Sequence, residues 1–280
     1  MLRPHLALVS LWAVLVAAGC APRGGAAHEA PARTATPEPA PAAPAPSPDP
    51  TTAAPASAPA LQPAPPPPAV PPSQAAPARV ERLPVEGDLP ASIVRGADGK
   101  PPRIVFLPGV CSNGGAYLYA FPEAARASGG VVAIEGDRPC GGSTQFRSIT
   151  SDPAHEEPRI ERALRAAGTD VAEDTKIVLV GYSLGATLAE NLVRMRPSRY
   201  ERVVLIGSPR DPVPARLKSA RAVATMSCSL DVPQRMRSAV KTLGAAGVTA
   251  RYFELPGCTH GNVTDGDRVL GEALAWLSGN

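Results

Sequence analysis

The chemistry of this chain starts at a serine set between two glycines. In Gly181-Tyr182-Ser183-Leu184-Gly185 the serine has Gly two positions away on either side, and Ile177-Val178-Leu179-Val180 precedes it. An apolar run rich in β-branched residues reads as a strand buried on both faces. Downstream, Leu184, Leu188, Leu192 and Met195 recur at helical spacing until Pro197, which marks the end of a helix. A strand that reverses this sharply into a helix holds its central residue in strained backbone geometry, with the side chain raised into the open. The crowding leaves room only for Gly or a similarly small neighbour. Such a Gly-x-Ser-x-Gly elbow nominates Ser183 as a nucleophile, provided that a base takes its proton. The pentapeptide alone recurs by chance in a chain rich in Gly and Ser, so the strand before it and the helix after it carry the reading.

The base and the acid come next. Of the four His residues, His5 and His28 lie near the N-terminus, and His155 falls in a polar stretch at 151–158 that reads as a solvated loop. His260 follows an apolar run and sits between Gly257 and Gly261, which suit a tight, exposed loop. Two carboxylates could orient it. Asp231 closes the run 222–229 and precedes a helix beginning near Pro233, and it is preferred; Asp211, between Pro209 and Pro212, is the alternative and otherwise reads as a turn residue,. A carboxylate beside the His sets its tautomer and stabilises the imidazolium formed when the serine loses its proton. Asp265 and Asp267 follow the His and suit the start of the last helix.

These residues need a scaffold. Strands are expected at 91–95, 103–107, 131–135, 176–180, 202–206, 222–227 and 249–255, and helices at 116–127, 157–167, 184–195, 233–245 and 267–277. Strands alternating with helices imply an α/β fold with a mostly parallel sheet covered on both faces. Ligands in such sheets bind beyond the carboxyl ends of the strands, where Ser183, Asp231 and His260 all fall.

The alternation, the elbow after a central strand and the order Ser, acid, His resemble the α/β-hydrolase family over roughly residues 91–277. The resemblance implies a Ser183–His260–Asp231 triad and an oxyanion hole of two backbone N–H groups. One is expected from Leu184 and the other from the loop Pro108-Gly109-Val110-Cys111-Ser112-Asn113, with Val110 or Cys111 as the donor. The family often has His-Gly where this chain has Pro108-Gly109. Only about fifteen residues separate the strands ending at 206 and starting at 222, where many relatives insert a helical cap; no large cap domain is expected, and the site should be open. In the family's sheet the strands before Cys111 and Cys140 are neighbours, as are those carrying Cys228 and Cys258. The resemblance therefore implies disulfides Cys111–Cys140 and Cys228–Cys258, against free buried thiols as the alternative.

The N-terminus has a different character. Arg3, the apolar run 6–18 and Ala17-Ala18-Gly19-Cys20 read as a signal peptide over 1–19, too short to span a bilayer,. The residues before Cys20 are similar to the lipobox of bacterial lipoproteins, which implies lipidation of Cys20 and, with Ala21 behind it, the outer membrane facing the periplasm or cell surface. An ordinary signal cleaved near Ala18 or Ala21 is the alternative. Residues 20–78 hold more than half of the chain's 35 prolines, with few charges; this composition cannot bury a core and reads as a linker or tether. Residues 79–280 are then the catalytic domain.

Composition excludes several classes. The formal charge is only +3 and aromatics are 4%, so neither a basic stripe nor base-stacking platforms for nucleic acid are present. No short Cys-x-x-Cys or His-x-x-x-His spacing suggests zinc, Gly114-Gly115 lacks the following Lys-Ser or Lys-Thr of a phosphate loop, and no cofactor is implied. The expected function is an exported serine hydrolase acting on a small-molecule or polymer ester, with thioester and amide bonds open to the same chemistry. A catalytically silent lipoprotein of the same fold, acting as a binding module, is the rival reading.

Overall fold

The apolar run before Ser183 forms the centre of a parallel sheet. The computed structural model describes residues 77–280; the expected signal peptide, Cys20 and nearly all of the proline-rich segment lie outside the described residues. The chain runs β1 (Glu81–Leu83), β2 (Ala91–Arg95), β3 (Ile104–Leu107), α1 (Gly114–Leu118), α2 (Pro122–Ala127), β4 (Gly130–Ala133), β5 (Arg138–Cys140) and β6 (Ser143–Ser148). It continues through α3 (Pro153–Ala166), β7 (Val178–Tyr182), α4 (Leu184–Met195), β8 (Arg202–Ile206), α5 (Pro214–Leu217), β9 (Ala222–Cys228), α6 (Pro233–Ala245), β10 (Ala250–Leu255) and α7 (Gly266–Gly279).

Eight strands form one sheet in the order β1-β2-β4-β3-β7-β8-β9-β10. The pairs β1–β2 and β2–β4 are antiparallel; from β4 to β10 every pair is parallel. Alternation along each strand serves both faces. Val105, Leu107, Leu179, Val203 and Leu205 pack toward Ile160, Leu188, Leu192, Met236 and Leu243 on α3, α4 and α6. Phe106, Val180, Val204 and Met226 point the other way, to Leu118, Ala125, Leu270 and Leu274 on α1, α2 and α7. Because both faces are covered, the central strands are apolar without interruption, as the sequence suggested. Among the described residues no helix is long and apolar enough to cross a membrane.

Three expectations are corrected. The single helix expected at 116–127 is two, because Pro122 has no N–H for the helical ladder and instead starts α2 as its first residue,. The helix expected from 157 begins at Pro153, where Asp152 accepts from the Ala154 N–H at 3.0 Å; His155 therefore sits in the first turn of α3 rather than in a loop. A hairpin the sequence reading missed, β5–β6, turns at Gly141-Gly142, both with positive φ, a pairing of residues suited to a tight hairpin turn. Between β8 and β9 only the four-residue α5 stands where a cap would insert.

One buried acid gives the fold a pH response. Glu190 on α4 is 2% exposed, accepts from the Val213 N–H at 3.1 Å and has Arg216 at 3.9 Å. Burial outweighs these partners and pushes its carboxyl up to about 7. The folded value lies above the unfolded one, so this group's contribution to stability is complete below about pH 4.5 and is lost as pH rises through about 7. Glu190→Gln should remove that loss, leaving the variant up to ~3 kcal/mol more stable than the parent at pH 8 relative to their difference at pH 4. Urea unfolding at the two pH values measures it.

Candidate active site

Ser183 stands at the end of β7 in a conformation that few side-chain-bearing residues adopt, with φ 54° and ψ −117°. Its N–H donates to the Ile206 carbonyl at 2.8 Å, continuing the β7–β8 ladder through the turn. The glycines are required sterically. A Cβ at Gly181 would strike the Gly185 carbonyl, and one at Gly185 would strike the Leu107 carbonyl. The strain is thus held in place by the packing of β3, β7 and α4.

Two other loops converge on this serine from the carboxyl ends of β9 and β10. His260 Nε2 lies 3.1 Å from Ser183 Oγ, and His260 Nδ1 lies 2.8 Å from Asp231 Oδ2. The strands that carry the two loops are parallel neighbours, so residues from distant parts of the sequence meet at one edge. Asp231 is fixed by its own N–H donating to Cys228 O at 3.2 Å, and the preceding Leu230 N–H donates to Cys258 O at 3.1 Å. Gly207, with φ +52°, passes beneath the imidazole; a Cβ there would lie 3.3 Å from Cε1 and Nδ1 of His260. Asp211 is elsewhere: its side chain is 86% exposed and pairs with Arg235 Nε at 3.3 Å.

Tyr182, inside the elbow, has a role that the sequence reading missed. Its hydroxyl accepts from the Gly261 N–H at 2.6 Å, and its ring centroid is 5.2 Å from that of His260. On its other side Tyr117 stacks at 4.7 Å. Burial raises the Tyr182 pKa, so the phenol stays neutral and braces the histidine loop. Glu135 is a second such residue. Its carboxylate accepts from Gly114 N at 2.9 Å and Gly115 N at 3.0 Å, holding the first turn of α1 beside the Gly109–Asn113 loop. An aromatic residue directly before the elbow serine was the available signal for the first; nothing local marked the second.

The Gly109–Asn113 loop passes directly over the serine, where a Cβ on Gly109 would lie 3.0 Å from Ser183 Cβ. Ser112 Oγ donates to Gly109 O at 3.0 Å, and Ser112 exchanges backbone hydrogen bonds with Arg147 of the hairpin at 2.9 and 3.0 Å. The N–H groups of Val110 and Cys111 donate to no described residue, so either can face the cleft. Leu184, at the first position of α4, is the other expected donor.

Both expected disulfides form. Cys111–Cys140 ties the loop over the serine to the hairpin, with Cα atoms 5.5 Å apart. Cys228–Cys258 ties the Asp231 loop to the His260 loop, with Cα atoms 5.0 Å apart and a sequence separation of 30. A closed loop of that length restricts the unfolded chain by ~3–4 kcal/mol in the chain-entropy model. Reduction is therefore expected to lower the melting temperature and, by loosening His260, the turnover, with little change in far-UV circular dichroism. Peptide mapping without reductant checks the pairing.

The first-turn His155 lies 2.7 Å from Asp137 Oδ2, and together with Glu156 these offer ligand atoms within 4.8 Å of one another. Glu156 is already committed: it accepts from Thr150 N at 3.1 Å and pairs with Arg159 at 2.8 Å. The group ties the hairpin end to α3. The site itself is a cavity of about 380 Å³ lined by Ser183, His260, Tyr117, Ala120, Phe146 and Val263 among others. A larger hollow of about 1060 Å³ lies at the amino ends of the strands, between α2 and α7, and none of the converging residues borders it.

The same architecture recurs in solved structures. The substrate-bound fluorophosphonate-binding serine hydrolase F of Staphylococcus aureus superposes with a TM-score of 0.52 at 9% identity, over 72% of this chain and 98% of that one. The thioesterase domain from the curacin biosynthetic pathway gives 0.50 at 14%, over 71% and 99%, and esterase PE8 gives 0.49 at 19%, over 67% and 96%. The chain has the α/β-hydrolase fold. At these identities the likeness shows the fold alone, and no protein-family model and no curated protein matches the sequence. Within an α/β-hydrolase fold, the line Ser183–His260–Asp231 can pass the serine proton to Nε2 while the carboxylate holds Nδ1–H and balances the imidazolium.

Proposed function

We propose that the chain is an exported serine hydrolase that cleaves carboxylic esters through an acyl-enzyme, with thioesters and amides as related substrates. The observation that carries the reading is the unbroken hydrogen-bonded line from Ser183 Oγ through His260 to Asp231 Oδ2. In this scheme Ser183 Oγ attacks the carbonyl carbon as its proton moves to His260 Nε2. The tetrahedral oxygen is held by the N–H of Leu184 and of Val110 or Cys111. The imidazolium then protonates the leaving alcohol. Water enters, gives a proton to the same nitrogen and releases the acid, regenerating the serine. Asp231 keeps Nδ1 protonated throughout.

Export is supported by the two disulfides, which persist in oxidising compartments,. Attachment to the outer membrane through a lipidated Cys20 is the part of the proposal that rests on sequence alone. Labelling with a fluorophosphonate probe tests the activated serine: the parent is expected to react and Ser183→Ala to remain unlabelled. A p-nitrophenyl ester series then reports the preferred acyl length. A parent protein inert to the probe would leave the binding-module reading in its place.

A further inference from the structure

Two hollows meet beside Ser183, and they differ in character. The cavity of about 380 Å³ has apolar walls beyond the serine and histidine, made by Ala116, Tyr117, Ala120, Phe146 and Val263. Ser112 and Asn113, also on its lining, are already engaged: Ser112 Oγ donates to Gly109 O at 3.0 Å, and Asn113 Oδ1 accepts from Ala116 N at 2.8 Å. Asn262 adds one amide. The second hollow, of about 550 Å³, shares Asn113, Ala116 and Phe146 with the first and continues past Tyr119 to β1 and β2. Its lining adds the Arg82 guanidinium, the Ser92 hydroxyl, the Gln145 amide and the Tyr119 phenol. Among the described residues none of these four groups has a hydrogen-bond partner; Gln145 bonds through its backbone only. Glu81, the acid on this lining, is held by Arg95 at 3.1 Å. Two aromatic rings border the same hollow and stand well out of the core, Tyr119 at 69% and Phe146 at 52% exposure.

An ester divides along the same line, into an apolar acyl half and an alcohol half that can be polar. With the acyl half in the apolar cavity, the alcohol half extends into the second hollow, and the lining there discriminates between alcohols. A second hydrocarbon chain would cover Arg82, Ser92 and Gln145 without offering them partners, and polar groups covered in that way cost free energy. A phosphate head offers acceptors only: it would engage Arg82, leave the Gln145 carbonyl unused and bring its charge toward Glu81,. A sugar satisfies the whole set. Its hydroxyls both donate and accept around the ring edge, matching an arginine, an amide and two hydroxyls. Its ring faces carry C–H groups, which pack on the faces of exposed aromatic rings such as Tyr119 and Phe146. The hollow's volume also falls within the ~300–1,000 Å³ of small-ligand sites.

Resting on the ester-hydrolase reading, we propose that the second hollow is the alcohol subsite and that it holds a carbohydrate, so that the substrate is a sugar carrying an O-acyl group. The acyl group passes to Ser183 Oγ as the C–O bond to the sugar breaks, and the sugar oxygen leaves with the proton from His260. Water then releases the acid from the serine. The net change consumes one water and yields one carboxylic acid and one free sugar hydroxyl.

A pair of esters with the same acyl group tests this: methyl 6-O-butyryl-glucopyranoside and ethyl butyrate, both esters of primary alcohols. The readout is the ratio of their kcat/KM values, which cancels any general loss of activity or folded protein. The parent is expected to prefer the sugar ester by about tenfold or more. Tyr119→Ala, and separately Arg82→Ala combined with Gln145→Ala, should each lower that ratio by about fivefold, chiefly through KM, because these groups hold the sugar before and during reaction alike. A parent ratio near one overturns the carbohydrate subsite while leaving the hydrolase reading intact. A ratio unchanged in both variants does the same. Preference for monobutyrylglycerol 3-phosphate over the sugar ester, lost with Arg82→Ala alone, would assign the hollow to a phosphate head instead. A parent that turns over none of these esters and stays unlabelled by the fluorophosphonate probe overturns the hydrolase reading, and the subsite falls with it.

Discussion

The Ser183→Ala variant is expected to lose ester turnover by several orders of magnitude, roughly 10⁴- to 10⁶-fold, while keeping its circular dichroism spectrum. The size of the loss follows from what the hydroxyl does. Without Oγ no acyl-enzyme forms, and the remaining rate is what the oxyanion donors achieve with bound water. The fold survives because alanine is small enough for the crowded turn between Gly181 and Gly185, and because the Ser183 N–H, which bonds to Ile206 O, is retained. A stopped p-nitrophenyl butyrate assay beside thermal unfolding separates the two effects. Parent-like turnover in the variant would mean that some other group attacks, and the elbow would then be only a turn.

The residues that make this prediction possible were legible in the sequence for a physical reason. Gly181, Ser183 and Gly185 are spaced by a local constraint, the close approach of β7, α4 and β3, and local constraints leave local signatures,. The same holds for the strands 91–95 and 202–206 and the helices 184–195 and 233–245, whose limits the structure reproduces. Where the reading failed, a strong local signal was present but was given the wrong weight. Asp152-Pro153 is a cap followed by a proline at the first helical position, and it starts α3 ahead of His155,. Pro122 breaks what looked like one helix.

Other features had a faint local mark or none. Tyr182 braces the loop of His260 across 79 residues of sequence, and Glu135 holds the start of α1 from 20 residues away. Neither contact is a consequence of spacing along the chain; each follows from how the sheet brings loops together. The exposure of several large hydrophobic side chains is of the same kind. Val110, Phe146 and Leu230 are unremarkable in sequence, since a hydrophobic residue there reads as part of a core until the fold leaves it outside. Periodicity reports burial against the chain's own elements and is silent about which apolar side chains the fold leaves exposed.

The identity of the acid is where sequence reasoning left a choice, and it yields the second large effect. Asp231→Asn should reduce kcat/KM on a soluble ester by roughly 10⁴-fold, as loss of the same carboxylate does in serine proteases. The amide keeps the shape of the loop but can present its NH₂ to Nδ1, which favours the tautomer carrying its proton on Nε2, and that nitrogen can then no longer accept from Ser183 Oγ. Asp211→Asn is expected to change the rate by no more than about twofold, because its carboxylate is exposed and faces Arg235 rather than the imidazole. The two variants differ in pH response as well as in size. Without Asp231 the imidazolium has no anionic partner at 2.8 Å, so the rate should recover in part at alkaline pH, where hydroxide can assist the serine directly. The Asp211 variant should follow the parent profile. The reverse ranking would move the acid to the loop after β8 and reduce Asp231 to a residue that merely precedes α6, and the geometry joining Ser183, His260 and Asp231 would then have no catalytic meaning.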